Sequence, residues 1–106
     1  MIFETLWQSA EQEELILIDG AMCRWHLRKD GQITIYEIIV LPDRQREGKG
    51  RAIVQYLKSI PDATSLFARC PADLEANSWY QSLGFHNDGA EYTKTGRRLM
   101  LWKLQF

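Results

Sequence analysis

Apolar and polar residues alternate through Ala21, Cys23, Trp25 and Leu27, with Met22, Arg24, His26 and Arg28 in the intervening places. A period of two is what a strand with one face on a core requires. The shorter run Leu15–Ile18 before it is apolar throughout and stops at Asp19-Gly20, a turn signal. After the alternating stretch comes Asp30-Gly31, the strongest hairpin dipeptide, because a two-residue turn matched to strand twist needs positive φ at both places. It leads into a further strand over 32–41, so the first half predicts an antiparallel meander. In that strand Ile33 and Ile35 share one face, but Ile38 and Val40 share the other, with Tyr36 and Glu37 between them. Either a β-bulge, which re-aims side chains and often adjoins a functional site, or a strand buried on both faces produces such a switch. Residues 1–10 are ambiguous: Ile2, Phe3, Leu6, Trp7 and Ala10 fit helical spacing, in a segment short enough to fray or to pair as a strand.

Beyond Pro42 the period changes. Ile53, Val54, Leu57 and Ile60 form the buried stripe of a helix from about Gly48 to Ser59, which Pro61 stops. Residues 64–70 read as a central strand broken by Pro71, and Asp73 is placed to cap a helix running to Leu83. Gly84 stands where a left-handed helix terminator belongs, with Phe85 after it as the accompanying apolar contact. The chain closes on Leu99–Phe106, where Met100, Trp102, Leu104 and Phe106 alternate with Leu101, Lys103 and Gln105. The order of strands, helix, strand, helix, strands predicts an α+β (or α/β) domain with a mostly antiparallel sheet.

Composition bounds this picture. A chain of 106 residues buries about two thirds of its surface, enough for a single domain over 1–106 and no more. With 13 basic and 14 acidic side chains it carries a net charge of −1, which argues against a general nucleic-acid binder. The charge is uneven, however. Glu4, Glu11, Glu13, Glu14 and Asp19 face no base within the first 20 residues, whereas Arg44, Arg46, Lys49 and Arg51 outnumber Asp43 and Glu47. A basic loop in a neutral domain suits one small polyanion. Cys23 and Cys70 stand apart, without a Cys-x-x-Cys spacing or paired histidines, so neither a metal site nor a disulfide scaffold is expected. The start lacks the pattern of a signal peptide, and no apolar run approaches the roughly 18 residues of a membrane span. A cytoplasmic setting without membrane contact is the expectation.

The chemistry concentrates in Val40-Leu41-Pro42-Asp43-Arg44-Gln45-Arg46-Glu47-Gly48-Lys49-Gly50-Arg51. This segment runs from a strand through the basic loop into the first turn of a helix. Two glycines let a backbone approach a ligand, and the free N–H groups and dipole of a helix start favour an anion. The same glycines in isolation also mark a tight turn; the four bases and the strand-loop-helix context favour phosphate. The spacing fits neither a P-loop nor the three-glycine dinucleotide fingerprint.

With these residues the chain resembles the GNAT superfamily of N-acetyltransferases. The family's pyrophosphate motif, Gln/Arg-x-x-Gly-x-Gly/Ala, is similar to Gln45-Arg46-Glu47-Gly48-Lys49-Gly50, preceded by Val40-Leu41-Pro42; its Tyr-x-x-x-Gly-Phe landmark is similar to Tyr80-Gln81-Ser82-Leu83-Gly84-Phe85. The resemblance covers residues 32–86 well and the last strands loosely. It implies an α+β, three-layer fold: a mixed, mostly antiparallel twisted sheet flanked by helices. It implies acetyl-coenzyme A as co-substrate, with no metal, and transfer of the acetyl group to an amine of a small molecule, peptide or protein. By the same resemblance, backbone groups near Ile38 and Val40 pair with the pantetheine arm. Gln45, Arg46, Gly48, Lys49, Gly50 and Arg51 surround the pyrophosphate, Asn77 contacts the pantetheine, and Tyr80 protonates the departing thiolate. The attacking amine needs a base, for which Glu37 at the face switch comes first and His26 second. Cys70 is given no role, since a lone buried cysteine is usually a small hydrophobe.

Three departures accompany the resemblance. Arg46 stands where glycine is common, and Asp73 where many members carry asparagine. Only about 20 residues precede the hairpin strand, fewer than the strand and two helices that usually wall the acceptor site. A non-catalytic acyl-coenzyme A-binding or protein-interaction module is therefore the alternative reading. A nucleic-acid contact through the basic loop is a weaker one, since no aromatic residues are interleaved there. Four tryptophans and an apolar final strand leave room for a homodimer.

Overall fold

In the computed structural model, which describes residues 2–106, the alternating segments become one six-stranded mixed sheet. In chain order the elements are α1 (Ile2–Glu11), β1 (Leu15–Ile18), β2 (Ala21–Leu27), β3 (Gln32–Val40), α2 (Lys49–Lys58), β4 (Ser65–Pro71), α3 (Ala76–Ser82), β5 (His86–Tyr92) and β6 (Arg98–Gln105). The strands lie in the order β1-β2-β3-β4-β6-β5, and every neighbouring pair is antiparallel except β3 with β4. Helical spacing wins in the ambiguous first segment. No helix among the described residues is long and apolar enough to cross a membrane.

Register explains the core. Leu27 sits opposite Ile33, Ile33 beside Leu66, and Leu66 opposite Leu104; the next row is Trp25, Ile35, Ala68 and Trp102. These side chains point to one face, onto which α2 brings Ile53, Val54 and Leu57 and α3 brings Tyr80, all in one cluster with Phe85. Three of the four stripe residues expected on α2 are buried there; Ile60 lies beyond the helix end and packs at the margin of the core.

The face switch in β3 is a bulge. Arg24 pairs with Glu37 but Trp25 pairs with Ile35, so Tyr36 is an extra residue with no partner on β2. The insertion moves the inward positions from Ile33 and Ile35 to Ile38 and Val40, and Ile39 between them is exposed. A bulge also bends its strand and increases local twist.

Two turns differ from expectation. Gly31 takes φ 94°, but Asp30 is not left-handed, and the hairpin closes through a longer loop. The Arg28 N–H donates to the Gln32 carbonyl at 2.8 Å, the Gly31 N–H to the Arg28 carbonyl at 3.1 Å, and the Asp30 carboxylate accepts the Gln32 N–H at 3.1 Å. The Asp side chain thus stabilises the turn without adopting the strained backbone. Asp73 does not cap α3, which starts at Ala76 with Glu75 in the cap position and no side-chain cap bond. Its neighbours are held by other bonds: the Ala72 N–H donates to Arg98 O at 3.0 Å and the Leu74 N–H to Pro71 O at 3.1 Å, while the Asp73 carboxylate lies 3.5 Å from Arg97.

The end of α3 follows the sequence closely. The Phe85 N–H donates to Tyr80 O at 3.1 Å and the Gly84 N–H to Gln81 O at 3.1 Å, around Gly84 at φ 96°. This is a Schellman terminator, and the Tyr80 and Phe85 rings meet edge to face at 5.3 Å as its apolar contact. A Cβ on Gly84 would approach nothing closer than Leu104 Cδ1 at 3.9 Å, so the glycine is required by the backbone alone. Gly84→Ala is expected to cost about 1–2 kcal/mol of stability in urea unfolding, the penalty of a left-handed residue with a side chain.

Candidate active site

β3 and β4 pair from Gln32–Ser65 to Ile35–Ala68 and no further. From the bulge onward β3 keeps its bonds to β2, and β4 keeps its own to β6 as far as Pro71–Leu99. Between the two strands opens a gap that no ladder bonds cross. The alternation of backbone direction shows which groups face it. The Trp25 N–H donates to Glu14 O on the β1 side and the Leu41 N–H to Gly20 O on the β2 side. Along an extended strand successive residues point opposite ways, so Ile38 and Val40 turn their N–H and C=O groups into the gap.

The gap is part of an open cleft of about 1260 Å³. Its walls include Ile38 and Val40, the loop residues Gln45 and Arg46, the helix start Gly48, Lys49, Gly50 and Arg51, and also Glu37 and Tyr80. Of the expected site residues, Asn77 alone is not on that wall. His26 is also elsewhere, paired with Thr34 before the bulge and bonded through Nδ1 to Glu14. Arg69, Leu74 and Trp79 line the cleft as well and had no motif to announce them.

The loop delivers a helix start to the cleft. A 3-10 turn at Pro42–Arg44 follows β3, the Gln45 side chain donates to Val40 O at 3.3 Å, and Gly48 at φ 80° enters α2. No side chain caps this helix, and the first bond back onto Gly48 O comes from the Ala52 N–H at 2.9 Å. The N–H groups of Lys49, Gly50 and Arg51 therefore precede the helix's own bonding, at its positive end.

The four bases divide into two kinds. Arg44 is spent on the fold: its guanidinium lies 3.0 Å from Asp19 and 3.0 Å from Glu47, which holds the Asp19 carboxyl below its ordinary range and the arginine firmly charged. Lys49 reaches Glu47 at 3.7 Å. Among the described residues neither Arg46 nor Arg51 pairs with a carboxylate, and both line the cleft. Arg46 has φ 68°, a left-handed backbone where the related motif commonly has glycine; the arginine adds charge at a cost of about 1–3 kcal/mol in strain.

The two glycines serve different ends. A Cβ on Gly48 would meet nothing within 4 Å, so that position needs its positive φ and leaves open space above it. A Cβ on Gly50 would lie 2.3 Å from Trp79 Cζ2. Close approach at Gly50 is thus to an indole ring of α3, where the sequence pattern pointed to a ligand.

Tyr80 lies beneath the gap, 6% exposed, with the Trp102 ring stacked at 6.4 Å and the Trp79 ring edge-on at 5.1 Å. Burial pushes its phenol above the ordinary value, and the nearby thiols of Cys70 and Cys23 push the same way, so it keeps its proton through neutral and alkaline pH. Burial likewise raises the Cys70 thiol, which donates to Pro71 O at 3.6 Å. Glu37 is half-buried and accepts from Arg24 Nε at 3.1 Å, and the same guanidinium sits 4.9 Å from the Tyr36 ring.

The "Acetyltransferase (GNAT) domain" family description matches residues 4–87. The chain belongs to the GNAT acetyltransferase family. A GNAT-family protein from Desulfovibrio desulfuricans superposes with a TM-score of 0.72 at 18% identity, over 96% of this chain and 75% of that one. A protein from Bacillus anthracis assigned as a streptothricin acetyltransferase, solved with acetyl-coenzyme A, gives 0.72 at 15% identity over 82% and 56%. An acetyltransferase from Bacillus subtilis, solved with coenzyme A, gives 0.66 at 14% over 82% and 69%. At such identities the superpositions establish the GNAT fold alone. No curated protein matches the chain in sequence.

The contact at Gly50 makes a direct prediction. Gly50→Ala must displace the Trp79 ring, so we expect a loss of about 1–3 kcal/mol in denaturant unfolding and a shifted tryptophan emission maximum.

Proposed function

We propose that this GNAT domain is an N-acetyltransferase that moves an acetyl group from acetyl-coenzyme A to an amine. The observation that carries the reading is the meeting, in one cleft, of an unpaired strand edge with an uncapped helix start flanked by two unpaired arginines. A pantetheine arm is an extended chain with two amides and suits the edge at Ile38 and Val40. A pyrophosphate suits the N–H groups of Gly48, Lys49, Gly50 and Arg51 together with the side chains of Gln45, Arg46 and Arg51. Acetyl-coenzyme A brings its acyl group as a thioester, activated for attack by an amine.

The remaining work falls to this chain. Tyr80 holds a proton on Oη beneath the gap and donates it toward the departing thiolate; a neutral phenol is the right form for that role. Glu37, on the bulge, accepts the amine's proton, with Arg24 holding the carboxylate in place. The bulge matters here because it turns residues 36–40 along the cleft. The acceptor amine belongs to a small molecule, peptide or protein.

One observation favours the alternative of an acyl-coenzyme A-binding module without transfer: both candidate bases are already engaged, Glu37 with Arg24 and His26 with Glu14. Release of free coenzyme A that depends on an added amine, above the hydrolysis background, separates the two readings.

Calorimetric titration with acetyl-coenzyme A is expected to give a micromolar dissociation constant, and absence of binding at millimolar ligand would remove the proposal. Tyr80→Phe is expected to lower kcat about 100-fold, the contribution of a positioned proton donor, with affinity for coenzyme A nearly unchanged. Full turnover in that variant would take Tyr80 out of the mechanism.

A further inference from the structure

Asn77 is half-buried beside the cleft, and both its amide N–H donors are committed to the protein. Nδ2 donates to the Pro71 carbonyl at 2.9 Å and to the Leu74 carbonyl at 2.8 Å, while Oδ1 accepts the Trp102 indole N–H at 2.8 Å. A side-chain amide has two N–H donors, so both are spent within the fold. A ligand carbonyl could recruit Asn77 only by breaking one of these bonds.

The three partners are informative. Pro71 and Leu74 line the cleft at the end of β4 and in the turn before α3. Trp102 belongs to β6, is 6% exposed, and stacks on Tyr80 with an interplanar angle of 18°. The Asn77 amide therefore joins the cleft wall to the ring that supports Tyr80. If Oδ1 is removed, a buried indole N–H loses its acceptor, and the ring gains by rotating toward another or toward water. Tyr80, packed against that ring, follows it.

We propose that Asn77 is a positioning residue for Tyr80, acting through Trp102, and donates no hydrogen bond to the pantetheine arm. The inference rests on the reading of Tyr80 as the proton donor. It differs from the role that a resemblance to other family members implies for this asparagine, and it explains why the residue sits on α3 one turn before Tyr80. A group that reacts within a cleft must be held closely, since a displacement of about 1 Å costs up to about 100-fold in rate.

The test uses the whole chain and two routes to the same link, Asn77→Ala and Trp102→Phe, each made alone and with Tyr80→Phe. Both single variants are expected to lower kcat for acetyl transfer about tenfold, with the dissociation constant for coenzyme A changed by less than about twofold. In the Tyr80→Phe background Asn77→Ala is expected to cost nothing more, because its effect passes through the missing hydroxyl. Ring resonances of Tyr80 in the NMR spectrum should move in both single variants, whether or not an acceptor amine has been found. Weaker coenzyme A binding in Asn77→Ala with unmoved Tyr80 resonances would overturn the proposal, as would losses from Asn77→Ala and Tyr80→Phe that simply add. A wild-type chain that binds coenzyme A yet acetylates no amine would instead count against the proposed activity, and the Tyr80 resonances would still decide the positioning claim.

Discussion

Peptide groups at Ile38 and Val40 lie in the middle of a sheet and have no neighbouring strand on one side. Interior strand edges are normally paired, because an unbonded peptide group held away from water costs free energy. Here the pairing of β3 with β4 ends at Ile35–Ala68, and the bulge at Tyr36 bends β3 immediately afterwards. The loop beyond β3 then turns at Pro42–Arg44 and brings the uncapped start of α2 to the same opening. The cleft, with the uncapped start of α2 at its mouth, follows from that divergence.

The packing beneath the gap keeps it open. Trp79 fills the space above Gly50 and so joins the start of α2 to α3, while Tyr80 is held between the rings of Trp79, Phe85 and Trp102. The Schellman bond at Gly84 fixes where α3 ends, which fixes the height of Tyr80 relative to the sheet. Asn77 ties the third side, from Pro71 and Leu74 to Trp102. Arg44 with Asp19 and Glu47 anchors the loop and leaves Arg46 and Arg51 to face the cleft. Arg46 keeps a strained left-handed backbone in this anchored loop, since such conformations persist where the surrounding structure over-determines them.

Features governed by local chemistry are legible in the sequence. Alternation marked β2 and β6, the phase change between Ile35 and Ile38 allowed a bulge, and Gly48 and Gly84 marked a helix start and a helix end. What long-range contacts decide was not. Asp73 has the composition of an N-cap, but the bond from Ala72 to Arg98, on a distant strand, holds the chain out of helix until Ala76. β5 is exposed along its length and has no buried face to impose a period. The reason for Gly50 is a tryptophan 29 positions away, and Asn77 accepts a hydrogen bond from a tryptophan 25 positions away. Sequence spacing carried the motifs to the cleft; it could not tell a ligand contact from a packing contact.

The central claim is that the open edge of β3 receives an extended ligand as an added strand. Amide hydrogen exchange at Ile38 and Val40, measured with and without coenzyme A, tests it most directly. Exchange at both amides should slow about tenfold or more when coenzyme A binds, as for a newly paired edge. Unchanged exchange there, while the amides of Gly48, Lys49, Gly50 and Arg51 shift on binding, would contradict the account.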